Sequence, residues 1–191
     1  KGCQLGNKPN IPIGVMDDPI IDPKNTLLKV NIPRGVILRE ESMTVSTRLS
    51  VPQTVISSLP VTYFEIDIVD PGYNFLVTIG LSGNDMPNNK LPGSTKGSIG
   101  YSCTGNLFYH KHKENLGPGF FAGQTVGCGI TKQGLIYFTH EGILVATTKA
   151  EQLDPKQSHA AIGFKSLGIA VKVNFSGPFA YNHKYMRTLA S

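Results

Sequence analysis

Residues 103–112 read CTGNLFYHKH, which puts one cysteine and two histidines close together, with Cys128 and His140 further along. These are the residue types that hold zinc. Zinc needs three or four ligands converging at about 2.0–2.3 Å, commonly supplied by close pairs such as C-x-x-C or H-x-x-x-H. The close pair here is His110 and His112, which on a strand share a face with their roots about 6.6 Å apart. The other candidates do not converge on them. Cys103 lies across a Gly-Asn turn, and His140 belongs to a different hairpin end. Cys128 sits between two glycines in an apolar strand, where a free thiol behaves as a small hydrophobe. The expectation is two surface histidines and two buried thiols, with no metal and no cofactor.

A second constellation is EIDIVD at 65–70. Strand alternation puts Glu65 and Asp67 on one side, with Phe64, Ile66 and Ile68 on the other. Glycoside hydrolysis uses two carboxyl groups at fixed separation on one face. The stretch resembles the E-I-D-I-x-E signature of the laminarinase and lichenase glycosidases, and a carbohydrate-binding or glycosidase sandwich using Glu65, Asp67 and Asp70 is therefore the alternative reading. Two features weigh against it: Asp70 is one methylene shorter than the acid that signature requires, and the chain has no tryptophan to stack on a sugar ring. No nucleophile elbow, phosphate loop or dinucleotide fingerprint is present. GCG at 127–129 is a strand interior, because no helix follows it. The expectation is that the protein is not an enzyme.

The elements that must position these residues are strands. Short runs rich in Val, Ile, Tyr, Phe and Thr alternate with Gly, Pro and Asn clusters, and helical periodicity is almost absent. Strands are predicted over 26–30, 35–40, 44–50, 62–70, 75–82, 97–103, 106–111, 125–131, 134–140, 143–148, 159–164 and 170–175. Connections this short imply antiparallel pairing, hence an all-β, two-sheet antiparallel sandwich. In TVGCGIT, Val126, Cys128 and Ile130 share the inward face. The long irregular stretches, 83–96 and 112–123, are the default places for function. Residues 1–24 read as an extended N-terminal arm, 25–181 as the sandwich and 182–191 as a C-terminal tail.

The chain has 191 residues, 40% hydrophobic and 16% charged, so it is globular and long enough to bury roughly 70% of its unfolded surface. No apolar run approaches the ~18–20 residues of a membrane span. Lys1 begins no recognisable signal sequence, and the expectation is a segment of a longer protein. Three cysteines, an odd and sparse set, point to a reducing compartment, hence an intracellular protein, cytoplasmic or nuclear. The net charge of +5 favours acidic or neutral partners. The basic residues are scattered, which argues against nucleic acid.

The order of the blocks says more than any one of them. YFEIDIVD, VTIGLSG, LPGSTKGSIGYSCTGNLFYH, GPGFFAGQTVGCGITKQGLIYFTHEGILVAT, HAAIGF and AVKVNFSGPFAY together resemble a SPRY domain, closest to the Ran-binding-protein-M type. The resemblance implies a bent β-sandwich without catalytic machinery. It also implies a protein-interaction function, gripping a short peptide by loops at one edge, often as adaptor or substrate-recognition part of a scaffold or ubiquitin-ligase assembly. Carried over residue by residue, it implies that Tyr109 and the turn Lys165, Ser166, Leu167 and Gly168 contact peptide, with Tyr101 and Ser102 in the family's G-Y-H segment. Ser94 stands where the family has tryptophan after LPG, with Lys96 in the same loop, and the expected partner-binding edge gathers Ser94, Lys96, Tyr101, Ser102, Tyr109 and Lys165 to Gly168. Thr104-Gly105-Asn106 replaces the acidic G-D-D-G turn. A structural domain without its own ligand is the third class.

Overall fold

In YFEIDIVD the alternate residues Phe64, Ile66 and Ile68 are apolar, and such alternation, repeated strand after strand, gives each sheet one face that must be covered. The computed structural model describes residues 33–110, 112–149 and 152–182. In these residues the chain is all β. One antiparallel sheet has the order β1 (Val36–Arg39), β2 (Thr44–Thr47), β13 (Ala170–Asn174), β4 (Tyr63–Asp70), β9 (Thr125–Ile130), β10 (Leu135–His140) and β11 (Ile143–Lys149). The second has the order β3 (Gln53–Pro60), β12 (His159–Phe164), β5 (Val77–Ser82), β6 (Ser98–Ser102), β7 (Asn106–Tyr109) and β8 (His112–Asn115). The two-sheet antiparallel sandwich expected from the sequence is the architecture found. No helix among the described residues is long and apolar enough to cross a membrane.

The core lies between the sheets. Phe64, Ile66 and Ile68 of β4 meet Val126, Cys128 and Ile130 of β9 and Phe138 of β10 from one side, and Val77, Ile79 and Leu81 of β5 and Ile162 and Phe164 of β12 from the other. Fully burying one side chain of this size is worth about 1.5–3 kcal/mol, so this layer dominates the favourable side of folding. Outside the six-stranded sheet the loop from Gly83 to Gly97 lies across the strands. Met86 closes on Ile56 and Ala161, and Thr54 N–H donates to the Asn88 carbonyl at 2.8 Å. Pro92 sits against Gly100 and Gly163, where any Cβ would collide with it.

Most predicted strands coincide with observed ones, and the differences have identifiable causes. β3 is not among the predicted strands, because QTVISSLP mixes polar and apolar residues. Both of its faces are covered, Val55 by the core and Ile56 by Met86, so the simple in-out pattern is absent. The strand expected over 106–111 stops at Tyr109. His110 takes a left-handed conformation (φ 39°) and turns the chain into β8, whose four residues are all exposed and so carry no apolar signal. The 26–30 strand and the 1–24 arm lie outside the described residues.

The register fixes two ends of the sandwich. Phe164, Val77 and Gln53 pair at one end, where Lys165 to Gly168 follow β12. At the other end Ala160 pairs with Leu81, Leu81 with Ile99, and Ile99 with Tyr109. We refer to these as the Leu167 end and the Tyr109 end.

Candidate functional site

The residues singled out from sequence divide between the two ends. Tyr109 is level with Ala160, five residues before Lys165 on β12, which is about 16 Å along the strand and three strand spacings across. No single groove contains both.

At the Leu167 end, three loops are bolted to one another. The Ser166 hydroxyl accepts the Asn74 N–H at 3.2 Å, and its carbonyl accepts the Thr47 hydroxyl. Tyr73 N–H donates to the Leu167 carbonyl, and Gly168 N–H to the Thr47 carbonyl, each at 2.9 Å. Gly72 and Gly168 both have positive φ (62° and 78°), and a Cβ on Gly72 would collide with the Leu167 carbonyl. Ser166 is thereby fully buried, a clamp rather than a contact residue. What the clamp presents is Leu167, 47% exposed, and Tyr73, 85% exposed, with Lys165 and Gly168 beside them. Leu49 and Val51 join them, because Gln53, paired with Phe164, donates its amide N–H toward both of their carbonyls. Phe121 follows Phe120, which packs on Phe75 and Tyr101. Among the described residues eight large apolar side chains are exposed, and six of them lie toward this end: Leu49, Val51, Val69, Tyr73, Phe121 and Leu167. Tyr73, flanked by Pro71-Gly72 and Asn74, carries a turn signal that marks an exposed aromatic.

Tyr101 and Ser102 do not offer their side chains to a partner. Tyr101 is fully buried between Phe120 and Phe138, and its hydroxyl donates to the Pro118 carbonyl at 2.6 Å. Burial pushes this phenol up to about 12. It shares the inward face with Ile99, a periodicity visible in GSIGYSC. Ser102 is 5% exposed and its hydroxyl is hydrogen-bonded to the Thr104 hydroxyl at 2.8 Å. Ser94 is exposed but lies in the loop over the outer face, its hydroxyl bonded to the Leu91 carbonyl at 2.6 Å.

At the Tyr109 end a cavity of about 310 Å³ opens between the two sheets. Tyr109 is half-buried, stacked on His112 at 5.2 Å between ring centroids and 26° between planes. His110, Lys149, Gln152 and Leu153 complete the walls, and Lys96 stands next to Gly97 on the rim. Lys149 is forty residues from Tyr109, and nothing local in the sequence joins them.

The carboxylate strand has a structural occupation. Glu65 is 3% exposed beneath residues 176–182, which cross the outer face of the seven-stranded sheet. Its Oε1 accepts the Tyr63 hydroxyl at 2.8 Å and the Tyr181 N–H at 2.9 Å, and Oε2 accepts the Ala180 N–H at 2.9 Å. Tyr63, Tyr137, Tyr181 and Phe179 pack around it. Asp67 accepts the Thr125 hydroxyl at 2.7 Å, and Asp70 accepts the Gly72 N–H at 2.9 Å. Both cysteines among the described residues, Cys103 and Cys128, are free and buried, and desolvation raises both thiols. No group of three or more His, Cys, Asp or Glu residues among the described ones could hold a metal ion.

Known proteins agree with this architecture. The chain is 34% identical over 122 residues to the dual specificity protein kinase splA of Dictyostelium discoideum, covering 63% of this chain and 5% of that protein. It is 28% identical over 148 residues to the Ran-binding proteins 9/10 homolog of Drosophila melanogaster, covering 75% of this chain and 15% of that one. It therefore spans a small fraction of either relative. The crystal structure of a human SPRY domain superposes with a TM-score of 0.69 at 24% identity, over 76% of this chain and 98% of the other. The SPRY domain family model matches residues 61–178, from the start of β4 to the segment that covers Glu65. The chain belongs to the SPRY domain family, whose members are in general protein-interaction modules.

Proposed function

We propose that this domain binds a short segment of a partner protein across the Leu167 end of the sandwich, as the adaptor or substrate-recognition part of a larger scaffold or ubiquitin-ligase assembly. The observation that carries this reading is the gathering of exposed apolar side chains at one end. Scattered singly they would mean nothing, but several exposed apolar side chains at one end, on loops bolted to one another, are what a partner covers. Tyr73 offers a large ring with a polar tip at low entropic cost, and Gly168 admits a partner's backbone. Lys165 adds a positive bias at the rim, consistent with an acidic or neutral segment. The small share of each relative that this chain spans suits a recognition part within a larger protein. Two free, buried thiols suit a reducing, intracellular compartment. The test is calorimetry with a peptide obtained by display selection. Leu167→Ala and Tyr73→Ala should each weaken binding about tenfold or more, and Leu59→Ala, at the other end, should not. Unchanged affinity in both loop variants would refute the assignment.

A further inference from the structure

Pro33, the first described residue, is held at the Leu167 end. Its carbonyl accepts the Val36 N–H at 2.8 Å, and Val36 pairs with Thr47, whose own carbonyl accepts the Gly168 N–H. Gly35 lies so close to Leu49 that an added Cβ would stand 2.7 Å from the leucine side chain. The chain ahead of Pro33 therefore reaches the sandwich beside the exposed Leu49. The residues there have a distinct composition. Between Lys8 and Lys24 the sequence has no lysine or arginine, but it has Asp17, Asp18 and Asp22. Ile11, Ile13, Val15, Met16, Ile20 and Ile21 accompany them, and Pro12, Pro19 and Pro23 favour extended backbone at the residues before them.

The Leu167 end offers the complement. Leu49 and Val51 precede β3, Leu167 follows β12 and Tyr73 precedes β5; these strands are neighbours, so the four side chains project from about 10 Å of sheet width. Arg34, Arg48 and Lys165 are exposed there. The carboxylates at this end are Asp70, which accepts the Gly72 N–H at 2.9 Å, and Glu141 on the other sheet, which accepts the Thr125 N–H. The cations are in surplus, and a surplus of one sign attracts a segment of the other. Reach is no obstacle. Asp22 is eleven residues from Pro33 and can stand up to about 36 Å from it in extended chain, several times the width to be crossed. A tether of this kind gives about millimolar effective concentration. An intrinsic dissociation constant of about 0.1 mM then keeps the segment in place about ten times in eleven.

We propose that residues 11–22 of this chain dock across the Leu167 end, covering Leu49, Leu167 and Tyr73 with their apolar side chains and setting their aspartates against Arg48 and Lys165. The domain thus carries its own competitor, and a partner must displace it. The docking stands on the geometry and charge of that end alone; that it holds off a partner rests on the function proposed above.

The experiment is nuclear magnetic resonance on the full chain with Cys3→Ser and Asn10→Cys, a nitroxide being attached at position 10, where the buried Cys103 and Cys128 do not compete for the label. The nitroxide should broaden the amide signals of Tyr73, Leu167 and Gly168 and spare those of Ile99 and Tyr109 at the other end. Adding Ile20→Asp and Ile21→Asp should restore the sharp signals. A synthetic peptide of residues 10–24 should bind the full chain carrying those two substitutions at about 0.1 mM, and the wild-type chain about tenfold more weakly, because its own segment is in the way. Leu167→Ala, at an exposed side chain, should weaken the added peptide about fivefold or more. Sharp signals at Tyr73, Leu167 and Gly168 in the nitroxide-bearing chain, or equal peptide binding by wild type and the double variant, would overturn the proposal. So would broadening seen only between a nitroxide-bearing chain and a separate isotope-labelled one, which would mean that a second copy is the occupant. If a display-selected peptide depends on Leu167 while these amides stay sharp, the self-docking fails and the partner site stands. If the amides broaden and the selected peptide ignores Leu167, the partner site fails and the self-docking stands.

Discussion

Replacing Glu65 by glutamine tests the structural role of the carboxylate against its catalytic alternative. The substitution keeps shape and volume but exchanges one acceptor oxygen for an NH₂ group. In the folded protein the two oxygens accept three hydrogen bonds, two of them from backbone N–H groups of the covering segment. Whichever way the new amide turns, its NH₂ faces either Ala180 N–H or Tyr181 N–H, two donors confronting each other out of water. A charge-assisted hydrogen bond contributes about 1.5–3 kcal/mol, and a buried donor left unsatisfied costs about 1–3 kcal/mol. These describe the same loss from two sides, so the expected destabilisation is about 2–3 kcal/mol. For a domain of this length that is roughly 4–12 °C in melting temperature. Denaturant unfolding followed by far-ultraviolet circular dichroism measures it, and amide exchange at Ala180 and Tyr181 should quicken before global unfolding. Asp67→Asn is the comparison, since half-exposed Asp67 keeps an acceptor oxygen for the Thr125 hydroxyl and should lose less than about 1 kcal/mol. If Glu65→Gln is as stable as Asp67→Asn, the reasoning fails. If wild type cleaves a β-glucan and Glu65→Gln does not, the carboxylate is catalytic.

Three further outcomes follow from the same packing. Cys128, fully buried with its thiol raised by desolvation, should react with thiol reagents only as fast as the protein unfolds; rapid labelling of the native state would invert the face assignment of β9. Gly163→Ala should cost about 1–3 kcal/mol and loosen the loop from Gly83 to Gly97, because the added methyl strikes Pro92; unchanged stability would show that the loop lifts freely. Stability should fall as pH rises past about 10. There the unfolded chain releases tyrosine protons, while Tyr63, Tyr101, Tyr137 and Tyr181, all raised by burial, keep theirs, so the folded state binds more protons. The slope is about 1.4 kcal/mol per pH unit for each tyrosine held protonated. Phenolate absorbance from these four should therefore appear together with loss of strand signal, and their ionisation in an intact fold would contradict the burial described.

The amino-acid sequence by itself determined the faces of most strands. Side chains alternate with a period of two whatever the chain does elsewhere, so Phe64, Ile66 and Ile68 had to share one face, and Val126, Cys128 and Ile130 another. It also determined the class of architecture, since amphipathic strands joined by short turns have few ways to cover their apolar faces. The inward face of Tyr101 was legible on the same grounds, from Ile99 two residues before it, although similarity to the family's G-Y-H segment pointed the other way. Strand order and register belong to the tertiary structure. They put Tyr109 and Lys165 at opposite ends, because each pairing shifts or reverses the chain by an amount no local pattern encodes. Burial of Glu65 depends on residues 176–182 returning over β4, more than a hundred positions away. β3 and β8 were hidden for opposite reasons, one covered on both faces and the other on neither, and alternation is visible only where a strand has one wet side and one dry.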